Sequence, residues 1–127
     1  MTPPNDFVRS AATTPPETTP WGALQWLIGG TQTPGAEQTL GVVIIQPGQR
    51  NPLHQHPNCE ELLYVLSGTC EHRLGDDRFS LAPGDVIRIP RGVPHWAKCT
   101  SAEPLVAVIS FSAPDRQAIN LDDDGVA

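Results

Sequence analysis

The sequence contains no run of about 18 apolar residues, so a transmembrane helix is not expected. Basic residues are scarce: 8 Lys and Arg stand against 14 Asp and Glu, a net charge of −6. A surface that tracks nucleic-acid phosphates needs clustered cations, and this balance argues against one. Cysteine is sparse and unpaired in pattern. Cys59, Cys70 and Cys99 are odd in number and form no CxxC pair. Free thiols in a reducing cytoplasm fit better than a disulfide framework. The first residues, Met1-Thr2-Pro3-Pro4-Asn5-Asp6, have neither the basic nor the apolar region of a secretory signal. Helical signal is also thin, and only Asp115–Ile119 has room for a helical turn.

Punctuation, by contrast, is abundant. The 127 residues include 14 Pro and 11 Gly, a density that breaks helices and favours short elements joined by turns. One domain is expected at this length. Residues 1–20 read as a Pro/Thr-rich arm, 21–114 as a β-domain, and 115–127 as a helical turn and acidic tail. Within the domain, apolar runs alternate with turn signals. Trp21–Ile28 ends at Gly29-Gly30, and Thr39–Ile45 ends at Pro47-Gly48. Glu61–Leu66 is followed by Thr69–Leu74 and Arg78–Leu81, and the last stops at Pro83-Gly84. That pair suits a type II turn with Gly at the positive-φ position. Val86–Ile89 and Leu105–Ser112 complete the set. Eight or nine short strands at this spacing predict an all-β sandwich or barrel of two antiparallel sheets. Several strands are apolar on both parities, for example Leu62, Tyr64 and Leu66 against Leu63 and Val65. One face lines an interior; the other predicts cover by a second copy, a homodimer.

Three of the four histidines stand in patterned places. His54 and His56 are two apart on a strand, so their imidazoles share a face. Pro57-Asn58 turns the chain, and Glu60-Glu61 opens the returning strand. His95 follows Pro90-Arg91-Gly92-Val93-Pro94. Three imidazoles and a carboxylate suit one divalent first-row metal: Mn, Fe, Co, Ni, Cu or Zn.

At these residues the sequence resembles the cupin superfamily, specifically its small single-domain metal-binding members. Gly48-x5-His54-x-His56-x4-Glu61-x6-Gly68 matches the first cupin motif. Gly84-x5-Pro90-x-Gly92-x2-His95 matches the second up to its last position, where Cys99 replaces the usual Asn. The resemblance spans roughly residues 40–112. It implies a double-stranded β-helix, a jelly-roll barrel, with His54, His56, Glu61 and His95 as metal ligands. Glu60 has the opposite parity and is expected to face out.

Around this set, Glu61 and His72 are candidates for catalysis. Gln46, Arg50, His72, Arg88 and Cys99 are candidates for substrate contact. Gln46 and Arg50 flank the first motif as rim residues, Arg88 is a cation inside an apolar strand, and Cys99 shares the parity of His95. Trp96 has the other parity and is expected to point away from the metal. Cupin thiol dioxygenases generally lack the glutamate ligand, so Glu61 argues against that branch. The fold hosts many functions and cannot name a reaction. The ligand set suits a metal-dependent enzyme of isomerase, lyase, cyclase or dioxygenase type acting on an oxygen-rich small molecule such as a sugar acid, polyketide or enol. The alternative is a non-catalytic module that binds or senses a small ligand.

Overall fold

Strand formation follows the β-branched and aromatic runs, and glycine or proline closes nearly every one. The computed structural model describes residues 7–30 and 32–122. Among them are eleven strands: β1 (Glu17–Thr19), β2 (Gly22–Ile28), β3 (Thr39–Ile45), β4 (His54–Gln55), β5 (Glu61–Ser67), β6 (Cys70–Leu74), β7 (Asp77–Leu81), β8 (Val86–Ile89), β9 (His95–Cys99), β10 (Leu105–Phe111) and β11 (Ile119–Asn120). They form two antiparallel sheets. One has six strands in the order β1-β2-β3-β10-β5-β8, the other five in the order β11-β4-β9-β6-β7. The order interleaves early and late strands, as a jelly roll requires. Among the described residues no helix is long and apolar enough to cross a membrane.

Period-two alternation decides what is buried. In β10, Leu105, Ala107, Ile109 and Phe111 face the interior, while Val106, Val108 and Ser110 do not. Beside them in the same sheet lie Val43 and Ile45 of β3, Leu63 and Val65 of β5, and Ile87 and Ile89 of β8, and the five-stranded sheet adds Cys70 of β6 and Ala97 and Cys99 of β9 to the same core. Burying such a side chain contributes about 1.5–3 kcal/mol, so the interleaved core holds the two sheets face to face.

Turn chemistry behaves as its residues dictate. The Asp85 amide donates to the Ala82 carbonyl across Pro83-Gly84, and Gly84 takes φ +95. That is the positive-φ geometry expected of the pair. A different glycine serves packing. A Cβ on Gly41 would lie 2.7 Å from the Trp26 ring, so the missing side chain is what lets Trp26 lie across β3.

Both ends of the chain depart from expectation. Residues 17–19, expected in an extended arm, pair with β2 as the sheet's edge strand. A 3-10 turn at Ala11–Thr13 precedes them, capped by the Ser10 side chain. The helical turn expected at Asp115–Ile119 is absent. Ile119–Asn120 pairs with β4 instead, and Asp122 accepts from the Leu53 amide and from Arg50 at 2.9 Å. Neighbouring strands offered this segment hydrogen-bond partners that a single isolated helical turn could not match. Asp123 and Asp124, read as part of an acidic tail, lie outside the described residues.

The three cysteines are free and buried. Burial pushes the Cys70 thiol up to about 12 and raises that of Cys59 as well. Both stay protonated far above neutral pH, and the thiolate is the reactive form. A disulfide-exchange reagent at pH 8 is expected to label no thiol of the native protein within minutes, and all three after unfolding in guanidinium. Rapid native labelling would contradict the buried placement.

Candidate metal centre

Local chain geometry puts the four predicted ligands together. His54 opens β4 and stands directly opposite His95, which opens β9. His56 follows after the i+2 step and stays on the same face. Glu61 starts β5 in the other sheet, and its carboxylate reaches across. Gly92, at φ +76, turns the chain before His95 and donates its amide to the His56 carbonyl at 2.8 Å. All four side chains are buried, at 2–5% exposure. One ligand atom from each lies within 4.8 Å of every other.

The second ring nitrogen of each histidine decides what the first can do. His54 Nδ1 is 2.7 Å from the Pro52 carbonyl, His56 Nδ1 2.8 Å from the Gln117 carbonyl, and His95 Nδ1 2.9 Å from the Val93 carbonyl. A carbonyl only accepts, so each Nδ1 carries the proton and donates. Each Nε2 of a neutral ring is then left as a lone pair. His56 Nε2 and His95 Nε2 lie 3.1 and 3.2 Å from the same Glu61 Oε1. Lone pairs facing a carboxylate at that distance repel unless a proton or a cation sits among them. Fixing the tautomer through Nδ1 is the arrangement that metal-ligating histidines use. The donor set therefore fits a divalent metal.

Electrostatics agree. Burial, aided by the neighbouring His95, lowers His54 to about 3, so its ring is neutral at ordinary pH. Burial alone would raise Glu61, but positive charge on the adjoining His56 and His95 rings more than offsets it and holds the carboxyl below its usual range, the part a cation takes when the rings are neutral. Neutral imidazoles and an ionised carboxylate are the states a metal requires.

Apolar walls enclose the cluster, among them Leu24, Val43, Leu63, Ile109 and Phe111. The open space beside it is about 20 Å³, room for roughly one water-sized occupant. Two polar residues outside the expected site set also line it. Asn51 is fixed by a bond from the Ala97 amide to its Oδ1 at 2.8 Å. Arg116 lies over the Trp26 and Phe111 rings, at 4.7 and 5.1 Å. Asn51 was detectable as a polar residue just before the first histidine. Arg116 stands outside both motifs.

The remaining candidates lie elsewhere. His72 is fully buried and its ring stacks on His95 at 5.9 Å and 10°, but it does not line the chamber. Burial first and His95 second lower it to about 4. Cys99 faces inward four residues along from His95, where its thiol donates to the Glu103 carbonyl. Arg50 is on the outside, over Trp96 and paired with Asp122. Gln46 is exposed in a turn. Arg88 points outward and pairs with Glu60 at 2.8 Å. Trp96 also faces outward, yet is 7% exposed because the guanidiniums of Arg50 and Arg78 cover its ring.

Residues 41–111 match the family model described as "Cupin domain". The chain belongs to the cupin family. An uncharacterised protein of Methanocaldococcus jannaschii is 36% identical over 71 residues, which cover 56% of this chain and 57% of that protein. "Polyketide synthase CurC" of Streptomyces cyaneus is 28% identical over 112 residues, covering 81% of this chain and 73% of that one. Among solved structures, oxalate decarboxylase of Lactobacillus farciminis in its formate complex superposes with TM-score 0.80 at 28% identity. That match covers 87% of this chain and 34% of the decarboxylase. The chain thus spans little more than half of the Methanocaldococcus protein and a third of the decarboxylase.

Metal binding to the folded state alone raises stability by RT ln(1 + [L]/Kd), about 2.7 kcal/mol at 100 times Kd. For a domain of this size that is a rise of roughly 8–13 °C in Tm. Thermal melts with added divalent metal are expected to show it, and EDTA to reverse it. A His54→Ala/His56→Ala variant is expected to show no metal-dependent rise.

Proposed function

We propose that the protein is a metal-dependent cupin enzyme in which His54, His56, Glu61 and His95 hold one divalent transition metal, Mn, Fe, Co, Ni, Cu or Zn. The observation that carries this reading is the triple Nδ1-to-carbonyl arrangement, which leaves three Nε2 lone pairs and one carboxylate converging in a small, buried chamber. Four protein ligands would hold the ion and leave it able to take an oxygen substrate as well. The metal would supply Lewis-acid polarisation of a bound oxygen, or a site for dioxygen.

The chain's own residues supply the rest. Apolar walls exclude water, which strengthens each electrostatic contact inside. Glu61 Oε1 is the one carboxylate oxygen at the centre and the group able to hold a proton there. His72, stacked behind His95, steadies that ring. The substrate class is an oxygen-rich small molecule, and isomerase, lyase or cyclase chemistry suits the enclosed site. The relatives' names, an oxalate decarboxylase and a polyketide synthase, point to acids and enols of that kind. The three free thiols suit a reducing compartment, the cytoplasm.

The chamber's size supports a second reading. With about 20 Å³ open beside the cluster, the metal could serve a non-catalytic module that binds a small ligand. Elemental analysis is expected to find close to one metal per chain in the wild type, and under a tenth of that in His54→Ala/His56→Ala. Turnover assays on enol and hydroxy-acid panels are expected to proceed without oxygen uptake; stoichiometric oxygen consumption would move the assignment to a dioxygenase. Ligand binding by the metal-loaded protein with no turnover of any class would favour the binding module.

The partner we propose is a second copy. Leu62, Tyr64, Leu66 and Val86 are 41–58% exposed on the outer face of the six-stranded sheet. Strand register lines up Val86, Tyr64, Val108 and Val42 in one row across four strands. Exposed apolar patches of this kind mark interaction sites. Sedimentation at micromolar concentration is expected to give a dimer, and Leu62→Lys/Tyr64→Lys a monomer that keeps its metal. A monomeric wild type would refute the proposal.

A further inference from the structure

Two of the three cysteines face each other. Cys70 is the first residue of β6 and Cys99 the last of β9, and the antiparallel register sets them directly opposite. The phase of the ladder fixes how close they stand. The Thr100 amide donates to the Thr69 carbonyl at 3.0 Å, one position beyond the pair. The Cys99 amide donates away from β6, to the Gln49 carbonyl, and the Cys99 carbonyl accepts from the Gly48 amide. Cys70 and Cys99 are therefore a non-hydrogen-bonded pair. That is the closer of the two kinds of antiparallel pair, with Cα atoms about 4.5 Å apart. Disulfides span Cα separations of about 4.4–6.8 Å, so the backbone needs no large movement to accept one here.

The side chains agree with the backbone. Strand parity turns both inward, and both are buried in the same apolar core. Burial raises the Cys70 thiol most, and the Cys99 sulfur, standing close to it, raises it further. Cys99 Sγ donates to the Glu103 carbonyl at 3.3 Å, in the loop after β9. A thiol is a weak donor, so little is lost when that contact gives way to a sulfur–sulfur bond. Cys59 is the odd thiol out: it precedes β5 in the other sheet, beside Glu61.

Placement also supplies a way in. While the ladder is closed, burial keeps reagents from the pair. The pair closes one end of that ladder, and ladder ends open more readily than ladder centres. On its far side β6 has only β7, the edge strand of the sheet. We infer that Cys70 and Cys99 are a reversible thiol–disulfide site whose co-reactant is a small-molecule disulfide of the glutathione type. The exchange has two steps. One cysteine, its proton lost to solvent, bonds through sulfur to one sulfur of the reagent and expels the other as a thiolate. The second cysteine, likewise deprotonated, attacks the protein sulfur of that mixed disulfide, forms the Cys70–Cys99 bond and expels the second reagent thiolate. Two protein thiols are oxidised, one reagent disulfide is reduced to two thiols, and the two protons pass to them. The bond ties β9, which carries His95, to β6, which carries His72, at the end away from those rings. No step involves the metal, so the site stands apart from the metal reading.

The test equilibrates the full chain, under nitrogen, with oxidised glutathione in large excess over reduced. One arm holds the native protein for days, and the other refolds it from guanidinium into the same buffer. Remaining thiols are then alkylated with iodoacetamide in denaturant, and intact mass and peptide maps are read. The expected product is two hydrogens lighter than the thiol form, with Cys70 linked to Cys99 and Cys59 alkylated. Links to Cys59 are expected to be at least tenfold rarer. Keeping guanidinium in the buffer is expected to abolish that preference, because only the fold sets the pair together. Dithiothreitol is expected to reverse the link, and Cys59→Ser to keep it. Absence of the link from both arms, glutathione adducts without a bridge, or links to Cys59 as frequent as Cys70–Cys99 would overturn the assignment. If Cys59→Ser fails to fold, the wild-type peptide map decides by itself.

Discussion

Three backbone carbonyls do more to define this protein's chemistry than any single side chain. By accepting from Nδ1 of His54, His56 and His95, the carbonyls of Pro52, Gln117 and Val93 hold each ring in one tautomer and aim Nε2 inward. The aim works only because the rings converge on a carboxylate in a buried interior. Exposed rings would find water, and the lone pairs would have no need of a cation. The barrel's packing and the site's chemistry are thus one constraint seen from two sides.

The carbonyls come from three unlike places. Pro52 precedes β4 by two residues, Val93 precedes β9 by two, and Gln117 lies between β10 and β11. Two of the three contacts are local, and any chain that turns into a strand this way makes them. The third joins residues 61 apart in sequence and depends on the whole barrel being closed.

The motif spacings made much of this legible. His54 and His56 on one face, Glu61 on the returning strand, and His95 after a proline-glycine turn follow from strand periodicity and turn chemistry, and the family resemblance named the barrel. The alternation in β5 and β10 separated inward from outward residues, so Glu60 and Trp96 face out as their parity requires. The misreadings share a cause. Gln46 and Arg50 are close in sequence to the first motif, but position along a strand does not say which end of the barrel is open. Asp115–Ile119 looked helical only because its hydrogen-bond partners are some 57–61 residues away. Arg116 went unremarked as a site residue for the same reason.

What the sequence by itself determined is the local part: strand parity, positive-φ turns at glycine, and a metal-suited donor set in register. These depend on neighbours within a few residues, where periodicity and sterics act. Tertiary structure alone decided which ring nitrogen of each ligand histidine faces a carbonyl, how small the chamber is, and that Arg116, outside both motifs, lines it. Those properties depend on groups brought together by burial across the barrel, and no spacing along one chain encodes the distance between two sheets.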